Sequence, residues 1–150
     1  MAMLNTDQVY PSDTLPKLKS HKKDICGVWV QRRYPPFDPI FLRRDNGNGK
    51  YRRIPDEESF SGKLVEVDAT GTGALFFNME IFDKIEEPWF KVLNNPDGRV
   101  GEDIYFCAKA KEAGFQIFVD TSIEVDHLST IAINRRLYEL FKKLNEKGGK

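Results

Sequence analysis

Gly101-Glu102-Asp103-Ile104-Tyr105-Phe106-Cys107 begins the clearest helix in this 150-residue chain. Ile104, Cys107, Ala108 and Lys111 follow helical spacing, and Phe106 and Ala110 widen the apolar stripe. Gly114 stops the helix, so its predicted span is Glu102 to Ala113. Two carboxylates therefore stand at the positive end of the helix dipole, where they can cap free amides. Capping is the commoner role of such a pair. The chemical alternative is a general base, a carboxylate at a cleft mouth that takes the proton of an attacking hydroxyl. Gly101 lets the backbone bend sharply or approach a ligand closely.

Beyond this helix, Gln116–Val119 reads as a strand and Ile123–Val125 as another, with His127 at its end. Asn134–Lys147 is predicted to be an amphipathic helix with Leu137, Leu140, Phe141 and Leu144 on one side, before a frayed Gly148-Gly149-Lys150 end. Upstream, Pro88-Trp89-Phe90 opens a long loop, with a turn at Asn94-Asn95-Pro96-Asp97-Gly98. Ala74–Phe77 is an apolar run consistent with a buried strand. It follows the tight turn Gly71-Thr72-Gly73 and precedes a short helix that Asn78 can cap. Lys63–Asp68 alternates as a half-buried strand, and Pro55–Gly62 reads as a polar loop.

Ile40–Arg44 and Tyr51–Ile54 flank the strongest turn signal, Asp45-Asn46-Gly47-Asn48-Gly49, and predict a β-hairpin. Asp24–Arg32 is rich in strand formers and ends at Tyr34-Pro35-Pro36. Ser12 and Asp13 can cap a helix reaching about His21. Met1–Leu4 reads as the end of a buried strand, followed at once by Asn5-Thr6-Asp7. Strands and helices alternate without a clean βαβ rhythm. The expected class is α/β, a mixed β-sheet flanked by helices, in one domain.

Hydrophobic residues make up 40% and charged residues 31%, and 23 basic side chains balance 23 acidic ones. That composition fits a globular domain and gives no global pull toward nucleic acid or a membrane. A nucleic-acid binder is further disfavoured because the aromatics do not interleave with the basic residues. No uncharged run is long enough to span a membrane, and no signal peptide is recognisable, so a cytoplasmic location is expected. Cys26 and Cys107 are far apart in apolar surroundings and are expected to be buried free thiols.

Several residue groups are candidates for chemistry. Asp7, at the carboxyl end of a strand, can hold a hard divalent cation that binds phosphate oxygens. A plain polar strand end is the default for such a tripeptide. His127 is either a satisfied structural histidine or a transition-metal ligand. His21, in a basic run, reads as a solvated helix end. Gly71-Thr72-Gly73 makes room for a substrate or serves a β-turn. Trp89 offers a ring that can stack on a sugar face, or plugs the core beneath its loop. Arg32, Arg33, Arg43, Arg44, Arg52 and Arg53 either bind an anion or form a solvated sheet edge, and the edge is expected.

The order of these groups resembles family 2 glycosyltransferases. Asn5-Thr6-Asp7-Gln8-Val9-Tyr10-Pro11 is similar to the family's DxD segment, and Asp24-Ile25-Cys26-Gly27 to the strand that follows. Val67-Asp68-Ala69-Thr70-Gly71-Thr72-Gly73-Ala74-Leu75-Phe76 resembles the turn and strand before the acceptor site, followed by Pro88-Trp89-Phe90. Gly101–Cys107 resembles the ED motif, and Ala113–Asp120 with Val125-Asp126-His127-Leu128 the closing strand and metal-side histidine. The resemblance runs from about Leu4 to about Ser129.

It implies a GT-A-type fold, a nucleotide-sugar donor, an acceptor hydroxyl, and Mn²⁺ or Mg²⁺. By position, Asp103 is the implied base and Glu102 shapes the acceptor site. Asn5 and Asp7 lie on the donor side, Gly71, Thr72, Gly73 and Trp89 on the acceptor side, and Asp7 with His127 on the metal. Asn5 stands where the pattern usually has an aspartate, so it supplies hydrogen bonds without charge. The family's nucleotide-binding first half has no counterpart here. The expected fold is thus a truncated one, its sheet covered by self-association or a partner chain. A catalytically inactive binding or scaffold module is the alternative function.

Overall fold

The computed structural model describes residues 1–45, 50–95, 98–131 and 133–148. In chain order the elements are β1 (Ala2–Leu4), β2 (Gln8–Val9), α1 (Thr14–Ser20), β3 (Ile25–Trp29), β4 (Phe41–Arg44), β5 (Tyr51–Arg53), α2 (Asp56–Ser59), β6 (Leu64–Val67), β7 (Ala69–Thr70), β8 (Ala74–Phe77), α3 (Ile81–Lys84), β9 (Leu93–Asn95), β10 (Gly98–Val100), α4 (Glu102–Glu112), β11 (Ile117–Glu124), β12 (Asp126–His127) and α5 (Arg135–Gly148). The architecture is mixed α/β.

The main sheet has five strands in the order β1-β8-β3-β11-β6. β3 and β11 run parallel, and the other neighbours are antiparallel. β3 lies at the centre and is buried from Ile25 to Val28. An apolar run without polar alternation has that fate, because both of its faces must be covered. Ile25 and Trp29 pack into one core with α4, while Cys26, Val28 and Val30 pack into a second core with Leu18 of α1. Gly27 sits between, where an added Cβ would lie 2.8 Å from Leu75 Cδ2. A side chain there would press on the fully buried Leu75 side chain and overpack the core.

Aromatic rings fill the α4 side. The Phe106 ring is fully buried, meets Phe77 edge-on at 5.3 Å and stacks on Phe90 at 4.7 Å. Those geometries suit the ring quadrupole and add to the area buried. Cys107 and Cys26 are buried free thiols, each pushed up to about 12, with burial the largest cause.

A register shift divides β11. Ile117–Asp120 pair in step with Ile25–Val28, but Glu124 is the partner of Trp29. Four steps along β11 thus answer one step along β3, and the extra residues bulge out. Ile117 and Val119 face the α4 core, whereas Ile123 and Val125 face the α1 core. The bulge reverses the faces. Asp120 holds it: its Oδ1 accepts the Ser122 amide at 2.9 Å and hydroxyl at 2.6 Å. Its Oδ2 lies 2.7 Å from His21 Nε2. Burial pushes the Asp120 carboxyl up, but Ser122 and His21 outweigh burial and hold it below its usual range.

Some sequence expectations change. His21 is not a solvated helix end, because it ties α1 to the β11 bulge. Residues 117–124 form one bulged strand rather than two. The loop predicted at 55–62 contains α2, whose first turn carries Asp56, Glu57 and Glu58 beside the helix dipole. β1 is not buried, since it occupies the sheet edge and pairs with β8 alone. Leu93–Asn95 and Gly98–Val100 pair antiparallel within the predicted long loop. The β4–β5 pairing is as predicted. Asn46–Gly49 of its turn, Pro96 and Asp97, and the Gly149-Lys150 end lie outside the described residues, as do the side chains of Phe141 and Leu144.

Phe106→Ala is expected to cost about 3–5 kcal/mol, read as a lowered urea midpoint, because its neighbours cannot collapse into the space of a ring. Asp120 carries a pH-dependent share of stability. Its depressed folded-state value means that this share is full above the unfolded carboxylate range and vanishes as pH falls through the folded value. Asp120→Asn is therefore expected to lose about 1–3 kcal/mol at neutral pH. Urea titrations at decreasing pH should show the gap to wild type closing, and a pH-independent gap would assign the loss to packing.

Candidate functional site

A cavity of about 590 Å³ opens where β2, β12, the turn before β8 and the start of α4 meet. Asn5, Asp7, Gly71, Thr72, Gly73, Glu102, Asp103 and His127 all line it. Segments distant in the chain thus supply one concave site. Trp89 does not line it. Its ring meets Phe82 at 4.9 Å, and its Nε1 donates to the Ile85 carbonyl at 3.2 Å. The half-buried ring packs on the apolar neighbours beneath its loop, so the structure places Trp89 apart from the cavity that gathers the other candidate residues.

One corner of the cavity is built by the short β2–β12 pairing, in which His127 faces Gln8. The Leu128 amide donates to the Asp7 carbonyl at 2.8 Å and extends that pairing. The Tyr10 hydroxyl lies 2.8 Å from the Asn5 carbonyl and 2.7 Å from that of Gly73, which ties the 5–7 segment to the glycine turn. His127 Nδ1 donates to the Gln31 carbonyl at 2.7 Å, since a carbonyl can only accept. The other nitrogen, Nε2, then points to Asp7, 3.5 Å from Oδ2. A neutral imidazole so oriented offers its Nε2 lone pair beside a carboxylate.

A carboxylate and an imidazole nitrogen are donor types that a hard or borderline divalent ion accepts, and this pair would supply two protein ligands. Among the described residues, no group of three or more His, Cys, Asp or Glu side chains forms a fuller cluster. Asp7 Oδ2 is also engaged by Arg33 Nη1 at 2.9 Å. A guanidinium and a metal ion would share the same carboxylate.

The opposite wall is the start of α4. Asp103 Oδ1 accepts the Ile104 amide at 2.8 Å. A Cβ on Gly101 would fall 2.5 Å from that same oxygen, so the absent side chain is what lets the carboxylate fold back there. Burial raises the Asp103 carboxyl above its usual value, and neighbouring Glu102 adds to the rise; the Ile104 amide and Arg32 oppose it. A half-buried carboxylate of raised basicity is suited to proton abstraction. Glu102 is exposed at the rim.

Four polar residues of the wall were not singled out from the sequence as site residues. Gln8 is buried, lines the cavity and has a buried Oε1 without a hydrogen-bond partner. An orphaned acceptor of this kind calls for a donor from a ligand or water. A Cβ on Gly73 would come within 2.8 Å of the Gln8 amide group, so the glycine makes room for it. Arg32, Arg33 and Arg99 also face the cavity. The first two belong to an arginine pair expected at a solvated edge. The other pairs do behave that way: Arg43 binds Glu58, Arg53 binds Asp56 and Arg52 binds Asp45 at the surface. Only the turn after β3 distinguishes Arg32 and Arg33, and the sequence carries no signal for that difference.

No protein-family model matches the chain, and no curated protein matches its sequence. Among solved structures, A197 from STIV is similar, with a TM-score of 0.52 and 18% identity, covering 89% of this chain and 70% of that one. At that identity the likeness is one of fold.

Proposed function

We propose that this chain is a glycosyltransferase-like domain of truncated GT-A type, which transfers a sugar from a nucleotide-sugar donor to an acceptor hydroxyl with inversion. The observation that carries the reading is the convergence of Asp7, His127, the glycine turn and Asp103 on one cavity also lined by Arg32, Arg33 and Arg99. An anionic donor explains why arginines and an orphaned glutamine acceptor share a wall with carboxylates.

In this reading Asp7 and His127 would hold Mn²⁺ or Mg²⁺, which would supply positive charge to stabilise a departing diphosphate. The arginines bind phosphate oxygens bidentately. Gln8 Oε1 accepts a hydrogen bond from a donor hydroxyl or base nitrogen. Gly71 and Gly73 keep the floor open for the acceptor. Asp103 takes the proton from the acceptor hydroxyl as its oxygen bonds to the anomeric carbon. The carbon–phosphate oxygen bond breaks on the opposite side, and the nucleoside diphosphate leaves with that electron pair. The Arg33–Asp7 ion pair favours a second reading, an anion-binding module without turnover.

Calorimetric titration with UDP and GDP, with and without Mn²⁺, separates the two. Metal-dependent binding that Asp7→Ala abolishes is the expected result for a transferase. Binding indifferent to both would favour the module, and no binding would defeat the donor-site reading. Where transfer is measured, Asp103→Asn is expected to lower kcat by about 10²–10⁴-fold with little change in donor affinity. The acid limb of wild-type kcat/KM should lie above the ordinary carboxylate range, because the base must be deprotonated and its value is raised. An acid limb within or below that range would remove Asp103 from the role.

A further inference from the structure

The segment after β12 leaves large apolar side chains in water. Ile133 is 88% exposed, Tyr138 67% and Leu140 53%. Asn134 caps α5, its Oδ1 accepting the Leu137 amide at 3.1 Å, so these residues belong to a defined helix and its approach. Leu128 and Ile131 continue the exposed apolar run toward the cavity side. Leu128 also lines a depression with Arg33 and Tyr34, and both arginine and tyrosine line the main cavity.

Charge decides what this face fits. Tyr138, two residues before Leu140, lies on the opposite, polar side of α5 with Arg135 and Lys142. The exposed apolar face is that of Leu140, which stands between Arg136 and Lys143, one turn before and one turn after it. All four cations are exposed, and the nearby anion, Glu139, is engaged by Arg135 at 2.8 Å. Packing this face on its own copy would set cations against cations. An anionic surface meets both needs, because apolar side chains enter it while flanking lysines and arginines extend to its charged groups.

We propose that Leu128, Ile131, Ile133 and Leu140, with the flanking Arg136 and Lys143, form an interfacial docking surface for an anionic lipid bilayer, with α5 lying in the membrane plane beside the cavity mouth. The surface docks and does not span: no helix among the described residues is long and apolar enough to cross a membrane. The inference stands on α5 and its approach and does not need the sugar-transfer reading.

Co-sedimentation of the full chain with vesicles tests it, comparing phosphatidylcholine alone with phosphatidylcholine–phosphatidylglycerol mixtures. Binding to the anionic vesicles is expected, much weaker binding to the neutral ones, and a marked loss between ~0.1 M and ~1 M salt. Leu140→Glu should weaken partitioning by roughly tenfold or more, as one apolar anchor is lost. Its circular dichroism and urea midpoint should match wild type, because the side chain is exposed. Arg136→Gln with Lys143→Gln should flatten the salt dependence. Absence of binding to anionic vesicles at low salt would overturn the proposal. So would equal binding by Leu140→Glu. A dimer in light scattering that Leu140→Glu dissolves, without vesicle binding, would assign the face to a second copy and overturn it too.

Discussion

The pairing of β11 on β3 sets the rest of the molecule. For four residues the two strands run in step, and their side chains alternate between two cores. Then β11 bulges while β3 advances one residue, and the faces reverse. A regular strand would keep Ile123 and Val125 on the α4 side, away from Leu18 and Val30. The bulge instead seats them on α1 and delivers the chain to β12 beside Asp7. Asp120 makes this deviation tolerable: its carboxylate meets the amide and hydroxyl of Ser122 and the ring of His21, so a buried charge has donors on both oxygens. Thr121 adds a link to β6, since its hydroxyl donates to the Lys63 carbonyl at 2.8 Å.

The cavity follows from that route. One wall is the β2–β12 pair, which exists because the bulged strand ends there. The other is the first turn of α4, anchored by Phe106 in the aromatic cluster. A rigid core thus holds two short polar segments at opposing positions, as a site needs if its groups are to be preorganised. Glycines fit the same logic. Gly73 admits the Gln8 amide and Gly101 admits the Asp103 carboxylate, so each makes room for a cavity-lining neighbour rather than serving a turn alone.

Electrostatics distinguish the two carboxylate regions. Asp120 is buried but well donated to, and it stays easily ionised. Asp103 is buried with one amide donor and a neighbouring Glu102, and it is harder to ionise. The first arrangement serves structure, because its charge is fully used within the fold. The second leaves basicity unspent at a cavity wall. The same contrast applies to the arginines. Those of the β4–β5 hairpin pair with surface carboxylates, whereas Arg32 and Arg33, paired with Asp38 and Asp7, line the cavity together with Arg99.

Much of the fold was legible in the sequence because local physics governs it. The α4 stripe, the β4–β5 pairing, the strand within Asp24–Arg32, the apolar run at Ala74–Phe77 and the glycine turn before it all follow from periodicity, strand propensity and turn chemistry. The order of Asp7, Gly71–Gly73, Glu102, Asp103 and His127 was also visible along the chain, and the structure brings all of them to one cavity. Tertiary structure alone decided the rest. Trp89 came to lie apart from the cavity because Phe82 lay beneath its loop, and His21 became a clamp because Asp120 came to it across nearly a hundred residues. Arg32 and Arg33 read like the other arginine pairs until the turn after β3 placed them at the cavity. The physical reason is range: helix stripes, turns and strand runs are set by neighbours in sequence, whereas which side chain finds a charge, a ring or an open cavity is set by distant segments that only the folded chain makes adjacent.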